Sequence, residues 1–129
     1  MQETSKVSIE DLPSISIVIP TYNSEQTLAQ CLESIVRQDY PREKIEIIIA
    51  DGGSKDKTLE TAEKFEVDKL LHNPLRTGEA GKAVGVETAE NEIIAFIDSD
   101  NILPSLSWLK TMVEPFNDLD VVGTEPLYY

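Results

Sequence analysis

Two carboxylates one residue apart, Asp98 and Asp100, follow the unbroken apolar run Ile93-Ile94-Ala95-Phe96-Ile97. Apolar runs of this length that end in polar residues read as buried strands of a parallel sheet, which are covered on both faces and show no alternation. Ligands of open α/β sheets collect at the carboxyl ends of such strands. Two hard oxygen donors placed there suit Mg²⁺ or Mn²⁺, ions that also hold substrate phosphates. The same Asp-Ser-Asp also suits a turn or helix cap.

Two further polar clusters follow apolar runs: Pro20-Thr21-Tyr22-Asn23, and Asp51-Gly52-Gly53-Ser54 with Asp56. If each run is a parallel strand followed by a helix, all three clusters open on one edge and line one cleft. Within it, Asp51 could accept from a base N–H, Tyr22 offers a flat face or a hydroxyl, and Thr21 a further hydrogen bond. Asp56 also fits the first turn of a helix, where a carboxylate favours the helix dipole. Arg76 and Lys82 are the cations that could meet a diphosphate, or else solvated surface charges. Thr77-Gly78-Glu79-Ala80-Gly81-Lys82-Ala83 is not a phosphate loop, which requires four residues between its glycines and Ser or Thr after the Lys. A Gly-x-Gly-x-x-Gly fingerprint is missing as well.

The elements that must position these residues alternate. Ile15–Ile19 is a β-branched strand stopped by Pro20. Ser24 caps a helix carrying Leu28, Cys31, Leu32, Ile35 and Val36. A second strand covers Ile45–Ala50, a helix carries Thr58, Leu59, Ala62 and Phe65, and a short strand lies around Lys69–Leu71. A helix from about Glu79 to Ala89 leads into the strand ending at Asp98. Ser105 then caps a helix with Leu106, Leu109, Met112, Val113 and Phe116, and Val121-Val122 begins one more strand. This order predicts an α/β fold: a mostly parallel sheet with right-handed crossovers and helices on both faces.

Composition bounds the partners. The chain has 129 residues, a one-domain length, and a net charge of −13. That charge argues against nucleic acid or an anionic membrane surface, and a polyphosphate ligand would need a cation to screen it. Cys31 is the single cysteine and reads as a small core hydrophobe. His72 stands alone and is assigned to a loop, without a zinc role. Residues 1–13 read as a polar N-terminal tail with no secretory signal, and no apolar stretch approaches the ~20 residues of a membrane span. The end at Pro126-Leu127-Tyr128-Tyr129, just after an apolar run, reads as the front part of something longer.

Taken together and in order, these motifs resemble the family 2 glycosyltransferases of the GT-A fold. The matching residues are Ser16–Asn23, the helix with Leu28, Cys31, Leu32, Ser34, Ile35 and Gln38, then Glu46–Thr58, Gly81–Gly85 and Phe96–Asp100. The resemblance implies a Rossmann-like half domain, residues 14–129, that binds the nucleotide of a UDP- or GDP-linked sugar donor. It places Pro20, Thr21 and Tyr22 around the base and puts Asp51 on a base N–H. Asp56 falls near base and ribose, Asp98 and Ser99 near ribose and metal, and Asp100 on Mn²⁺ or Mg²⁺ as principal ligand. Lys82 stands where the family often has Arg. The resemblance also implies metal-dependent, inverting transfer to an acceptor left open among saccharide, lipid and protein, with the catalytic base and acceptor site beyond Tyr129. A cytoplasmic location follows, at a membrane face only through segments absent here. The competing reading is a non-catalytic nucleotide-binding α/β module; a receiver-like signalling domain lacks support at Pro20–Asn23.

Overall fold

The computed structural model describes residues 11–117, so the N-terminal residues 1–10 and the strand expected at Val121-Val122 lie outside the described residues. Four strands form one all-parallel sheet in the order β3-β2-β1-β4: β1 Ile15–Thr21, β2 Ile45–Asp51, β3 Lys69–His72 and β4 Ile93–Phe96. The helices are α1 Leu28–Val36, α2 Thr58–Lys64, α3 Gly78–Thr88 and α4 Trp108–Val113, with α4 running on into a 3₁₀ turn over Glu114–Asn117.

The alternation of side chains along the strands sorts the helices onto two faces. Ile15, Ile17 and Ile19 of β1 and Ile45, Ile47 and Ile49 of β2 form the main core with Leu28, Cys31, Leu32 and Ile35 of α1, Ala62 of α2, and Leu109 and Val113 of α4. Val18 and Pro20 point the other way, against α3. There Gly81 and Gly85 lie one turn apart on one face of the helix. A Cβ on Gly85 would stand 2.4 Å from Val18 Cγ1, and one on Gly81 would stand 2.8 Å from Pro20 Cβ. Only a helix stripped of side chains at those points can lie this close to β1.

Several expectations are corrected. Pro20 does not stop β1, which runs on through Thr21. Val18 C=O accepts from Ile97 on the β4 side and Thr21 C=O accepts from Gly52 on the β2 side, so Pro20 turns its N toward β4, whose pairing has ended at Phe96. No ladder bond is lost. The strand before Asp98 is not buried on both faces, because it forms an edge of the described sheet: Ile93, Ile94 and Ala95 are half-buried and Phe96 is exposed. Ser24 Oγ does not cap α1, although its carbonyl accepts from Thr27 and Leu28 in the turn that opens it. Ser105 likewise leaves α4 uncapped, and Leu106 is exposed before that helix begins. His72 is the exposed last residue of β3 rather than a loop residue. Leu12, assigned to a polar tail, is buried in the core, its carbonyl accepting from Lys44 Nζ at 2.7 Å.

Candidate functional site

The C-terminal ends of β1 and β2 are bound to each other by side chains. Asp51, the last residue of β2, is buried, and its carboxylate takes four hydrogen bonds. Thr21 Oγ1 and Ser54 Oγ each donate to Oδ1 at 2.6 Å, while the N–H groups of Gly53 and Ser54 donate to Oδ2 at 3.0 and 2.7 Å. Burial pushes the Asp51 carboxyl upward, but the donors from Ser54, Thr21 and Gly53 outweigh it and hold the group below the usual carboxylate range. The turn closes because Gly53 takes φ of +97°, a conformation that L side chains resist.

The two loops that follow are stitched together along their length. Asn23 N–H donates to Ser54 Oγ at 2.7 Å, Lys55 N–H to Asn23 Oδ1 at 2.9 Å, Ser24 N–H to Thr58 Oγ1 at 2.7 Å, and Lys57 N–H to Glu25 Oε1 at 3.0 Å. Asp56 joins them: Oδ1 accepts from Thr58 N–H at 2.9 Å and Thr58 Oγ1 at 2.5 Å, and Oδ2 from Glu25 N–H at 3.1 Å. Solvation loss pushes its carboxyl upward, and the bonds from Thr58 and Glu25 together outweigh it and hold the group below its ordinary value. Both oxygens of Asp56 are therefore engaged at the start of α2.

Tyr22 rises from this base half exposed, with the Arg76 guanidinium over its ring at 5.3 Å from the centroid. Arg76 is exposed, and its Cα, Cβ and Cγ fill the space that a Cβ on Gly52 would need, at 3.1 to 3.3 Å. It adopts φ of +65°, and Asn23 adopts +49°. Non-glycine residues in this region carry strain that collects at functional sites. Lys82, on α3, lies instead over the Phe96 ring at 5.5 Å and 4.0 Å from Glu79 Oε1, one helical turn away.

The third cluster differs. Asp98 and Asp100 are exposed, and among the described residues neither side chain has a hydrogen-bond donor or a cation beside it. The backbone that carries them is held: Ile97 N–H donates to Val18 C=O at 3.1 Å, Asp98 N–H to Asn101 Oδ1 at 3.3 Å, and Cys31 Sγ to Asp98 C=O at 3.6 Å. Ser99 Oγ meets Ser24 Oγ at 3.1 Å, which joins this loop to the Tyr22 side. Burial first, then the charges of Asp100 and Asp98, push the Cys31 thiol up to about 12, so it is inert, as a core cysteine should be.

The donor set fits a hard cation. Exposed carboxylates without protein partners are what Mg²⁺ or Mn²⁺ takes, and the described residues hold no group of three or more His, Cys, Asp or Glu able to enclose a metal alone. A cation here would complete its shell with water and phosphate oxygens. Two surface depressions of about 430 and 330 Å³ lie elsewhere, beside Arg42, Phe65, Glu46 and Lys69 at the opposite edge of the sheet. Glu46 lies there in β2, as expected, and is a buried carboxylate held by Ser16 Oγ at 2.6 Å, Glu90 N–H at 2.9 Å and Lys69 Nζ at 2.9 Å.

Residues 16–129 match the description Glycosyl transferase family 2. The chain belongs to that family. It is 32% identical over 119 residues to glycosyltransferase AglE of Haloferax volcanii, covering 87% of this chain and 39% of that protein. Among solved structures, it resembles mannosyltransferase PcManGT from Pyrobaculum calidifontis in complex with GDP-Man and Mn²⁺, with a TM-score of 0.76 and 26% identity over 84% of this chain and 34% of that one. It also resembles S. aureus TarS 1-349 in complex with UDP-GlcNAc, with a TM-score of 0.70 and 27% identity over 81% of this chain and 32% of that one. The chain thus spans 39% of the length of AglE and about a third of these two structures. Its parallel sheet is the Rossmann-like, N-terminal part of a GT-A fold. No helix of the described residues is long and apolar enough to cross a membrane.

Proposed function

We propose that this chain binds the nucleotide diphosphate of a UDP- or GDP-linked sugar, with Mg²⁺ or Mn²⁺, as the donor half of an inverting glycosyltransferase. The observation that carries this is the pairing, on one sheet edge, of a hydrogen-bonded polar cluster at Thr21, Asp51 and Ser54 with two exposed carboxylates, Asp98 and Asp100, that have no partner among the described residues. Pro20, Thr21 and Tyr22 wall the base pocket, and Asp51 meets a base N–H as a hydroxyl of Thr21 or Ser54 turns aside. Asp56 fixes the loops beside base and ribose. Asp98 and Ser99 face ribose and diphosphate, Asp100 with Asp98 holds the cation, and Lys82 supplies positive charge nearby. The bound cation supplies charge that stabilises a diphosphate leaving group. Transfer also needs a base within reach of the acceptor hydroxyl. Asp51 and Asp56 spend their oxygens on protein donors and Asp98 and Asp100 are held for the cation, so residues 1–129 bind donor without transferring sugar. The acceptor, saccharide, lipid or protein, is engaged by other residues.

PcManGT and TarS, solved with GDP-Man and Mn²⁺ and with UDP-GlcNAc, support this donor class. Titration calorimetry with UDP and GDP tests it. Affinity in Mn²⁺ should exceed that in EDTA by tenfold or more, about 1.4 kcal/mol. Equal affinity in both buffers would remove Asp98 and Asp100 from the site.

A further inference from the structure

The backbone from Ile97 to Ser107 has no regular structure, yet it must present Asp98 and Asp100 at a fixed separation. What holds it is α1. Ser34 Oγ accepts from Leu103 N–H at 3.0 Å while donating to Cys31 C=O at 2.7 Å. Gln38, buried just past the end of the helix, donates from Nε2 to Ser105 C=O at 2.6 Å and accepts at Oε1 from Leu109 N–H at 2.9 Å. Next to it, Asp39 N–H donates to Leu106 C=O at 2.8 Å. Cys31 and Ser34 on α1, and Gln38 just past its end, meet this loop at Asp98, Leu103 and Ser105 in order.

We infer that Ser34 and Gln38 are positioning residues for the Asp98–Asp100 loop, acting on the cation through the backbone they hold; this rests on the donor-site reading above. A half-buried hydroxyl and a buried amide interrupt a stripe otherwise made of Leu28, Leu32 and Ile35, and burying polar groups is unfavourable unless they are paired. The long-range partners of both side chains lie in the loop and in the first turn of the helix after it, on the far side of Asp100. Ile97 and Cys31 grip the near side. Asp100 is therefore suspended between two anchors, and removal of the far one lets the carboxylates drift apart.

The test is the affinity for Mn²⁺ measured in saturating UDP or GDP, set beside nucleotide affinity in EDTA and the thermal midpoint. Ser34→Ala and Gln38→Ala should weaken Mn²⁺ binding roughly 10- to 100-fold, the usual consequence of losing an outer partner of a metal site, with metal-free nucleotide affinity unchanged. Ser34→Thr, which keeps the hydroxyl, should restore it. Ile35→Val, a core cavity on the same helix without a bond to the loop, should lower the midpoint and leave Mn²⁺ affinity alone. If Ala variants fail to fold, Gln38→Glu reads the same anchor, because it keeps the acceptor for Leu109 and loses the donor for Ser105. Mn²⁺ affinity within twofold of the parent in the folded variants, or an equal loss in Ile35→Val, overturns the positioning role alone. A parent chain that shows no Mn²⁺ dependence overturns the donor-site reading along with it.

Discussion

Asp51 closes β2 and Asp100 lies in the loop that follows β4, on the same sheet edge, and the fold treats the two aspartates in opposite ways. Asp51 is buried and receives four donors, close to the full capacity of a carboxylate. Asp100 is exposed and its side chain has no protein partner among the described residues. The first carboxylate has become part of the scaffold, binding β1 to β2 and shaping the turn that follows β2. The second has lone pairs that no described residue takes. A motif alone does not separate these roles. What separates them is how many donors the surrounding backbone aims at each oxygen.

Two substitutions should split the comparison most widely. Asp100→Ala should lower nucleotide affinity in Mn²⁺ by about 100-fold, at or beyond the upper end of losses seen for mere outer partners, and leave the thermal midpoint in EDTA within a degree or two. Asp51→Asn should instead lower the midpoint itself, and with it the nucleotide affinity in EDTA and Mn²⁺ alike. Its new amide N–H₂ faces hydroxyl and backbone donors, leaving buried groups unpaired at about 1–3 kcal/mol, which for a chain of this size is a midpoint drop of several degrees. Scanning calorimetry and nucleotide titration on both variants check the split. A stable Asp51→Asn or an unfolded Asp100→Ala would contradict it.

Acidity offers a second separation. The folded Asp51 carboxyl titrates below its ordinary value, so its contribution to stability is present above the unfolded value of about 3.9 and is lost as pH falls through the lower, folded one. Cys31 works in the opposite direction: its thiol, raised to about 12, contributes below the ordinary thiol range and is lost as pH rises toward that value. Urea midpoints measured from pH 6 to pH 2 should therefore fall less steeply in Asp51→Asn than in the parent, since the variant has no such carboxyl to protonate. Parallel curves would show that the four hydrogen bonds do not bias the titration.

The parallel order, the three polar clusters and the apolar stripe of α1 were legible because each rests on local pattern: β-branched runs, turn residues after them, and helical spacing. The difference between Asp51 and Asp100 was not, since it depends on Thr21, thirty positions away in the chain, and on the rotamer of Ser54. The loop stitching through Asn23 and Thr58 was equally hidden, as was the pairing of Glu46 with Lys69 across neighbouring strands. Ser24 and Ser105 illustrate the limit of cap chemistry: both stand before a helix, but the Ser24 hydroxyl turns to Ser99 and Ser105 gives its carbonyl to Gln38. The segment holding Gly78 and Gly81 does not fit a phosphate loop, and the use that Gly81 shares with Gly85, close approach of α3 to β1, depends on Val18 and Pro20 far away in the chain.

Among the described residues the two regions are joined by a side-chain hydrogen bond, Ser24 Oγ to Ser99 Oγ at 3.1 Å, and its removal gives the finest test of how separate they are. Ser24 Oγ also accepts from Tyr22 N–H at 3.2 Å, so Ser24→Ala alone mixes a local loss with the loss of the link. A double-mutant cycle with Ser99→Ala isolates the shared term. For a neutral, partly exposed hydroxyl pair the coupling in stability should be about 0.5–1 kcal/mol. The sharper readout is linkage between ligands: if the hydroxyl pair transmits order from the Tyr22 loop to the Asp98 loop, nucleotide and Mn²⁺ raise each other's affinity by equal factors, and that factor shrinks in either serine variant. Calorimetric titration of each ligand with and without the other gives both factors independently. A mutual enhancement that stays unchanged in both variants would mean that the diphosphate couples the regions by itself, with the protein holding each loop separately.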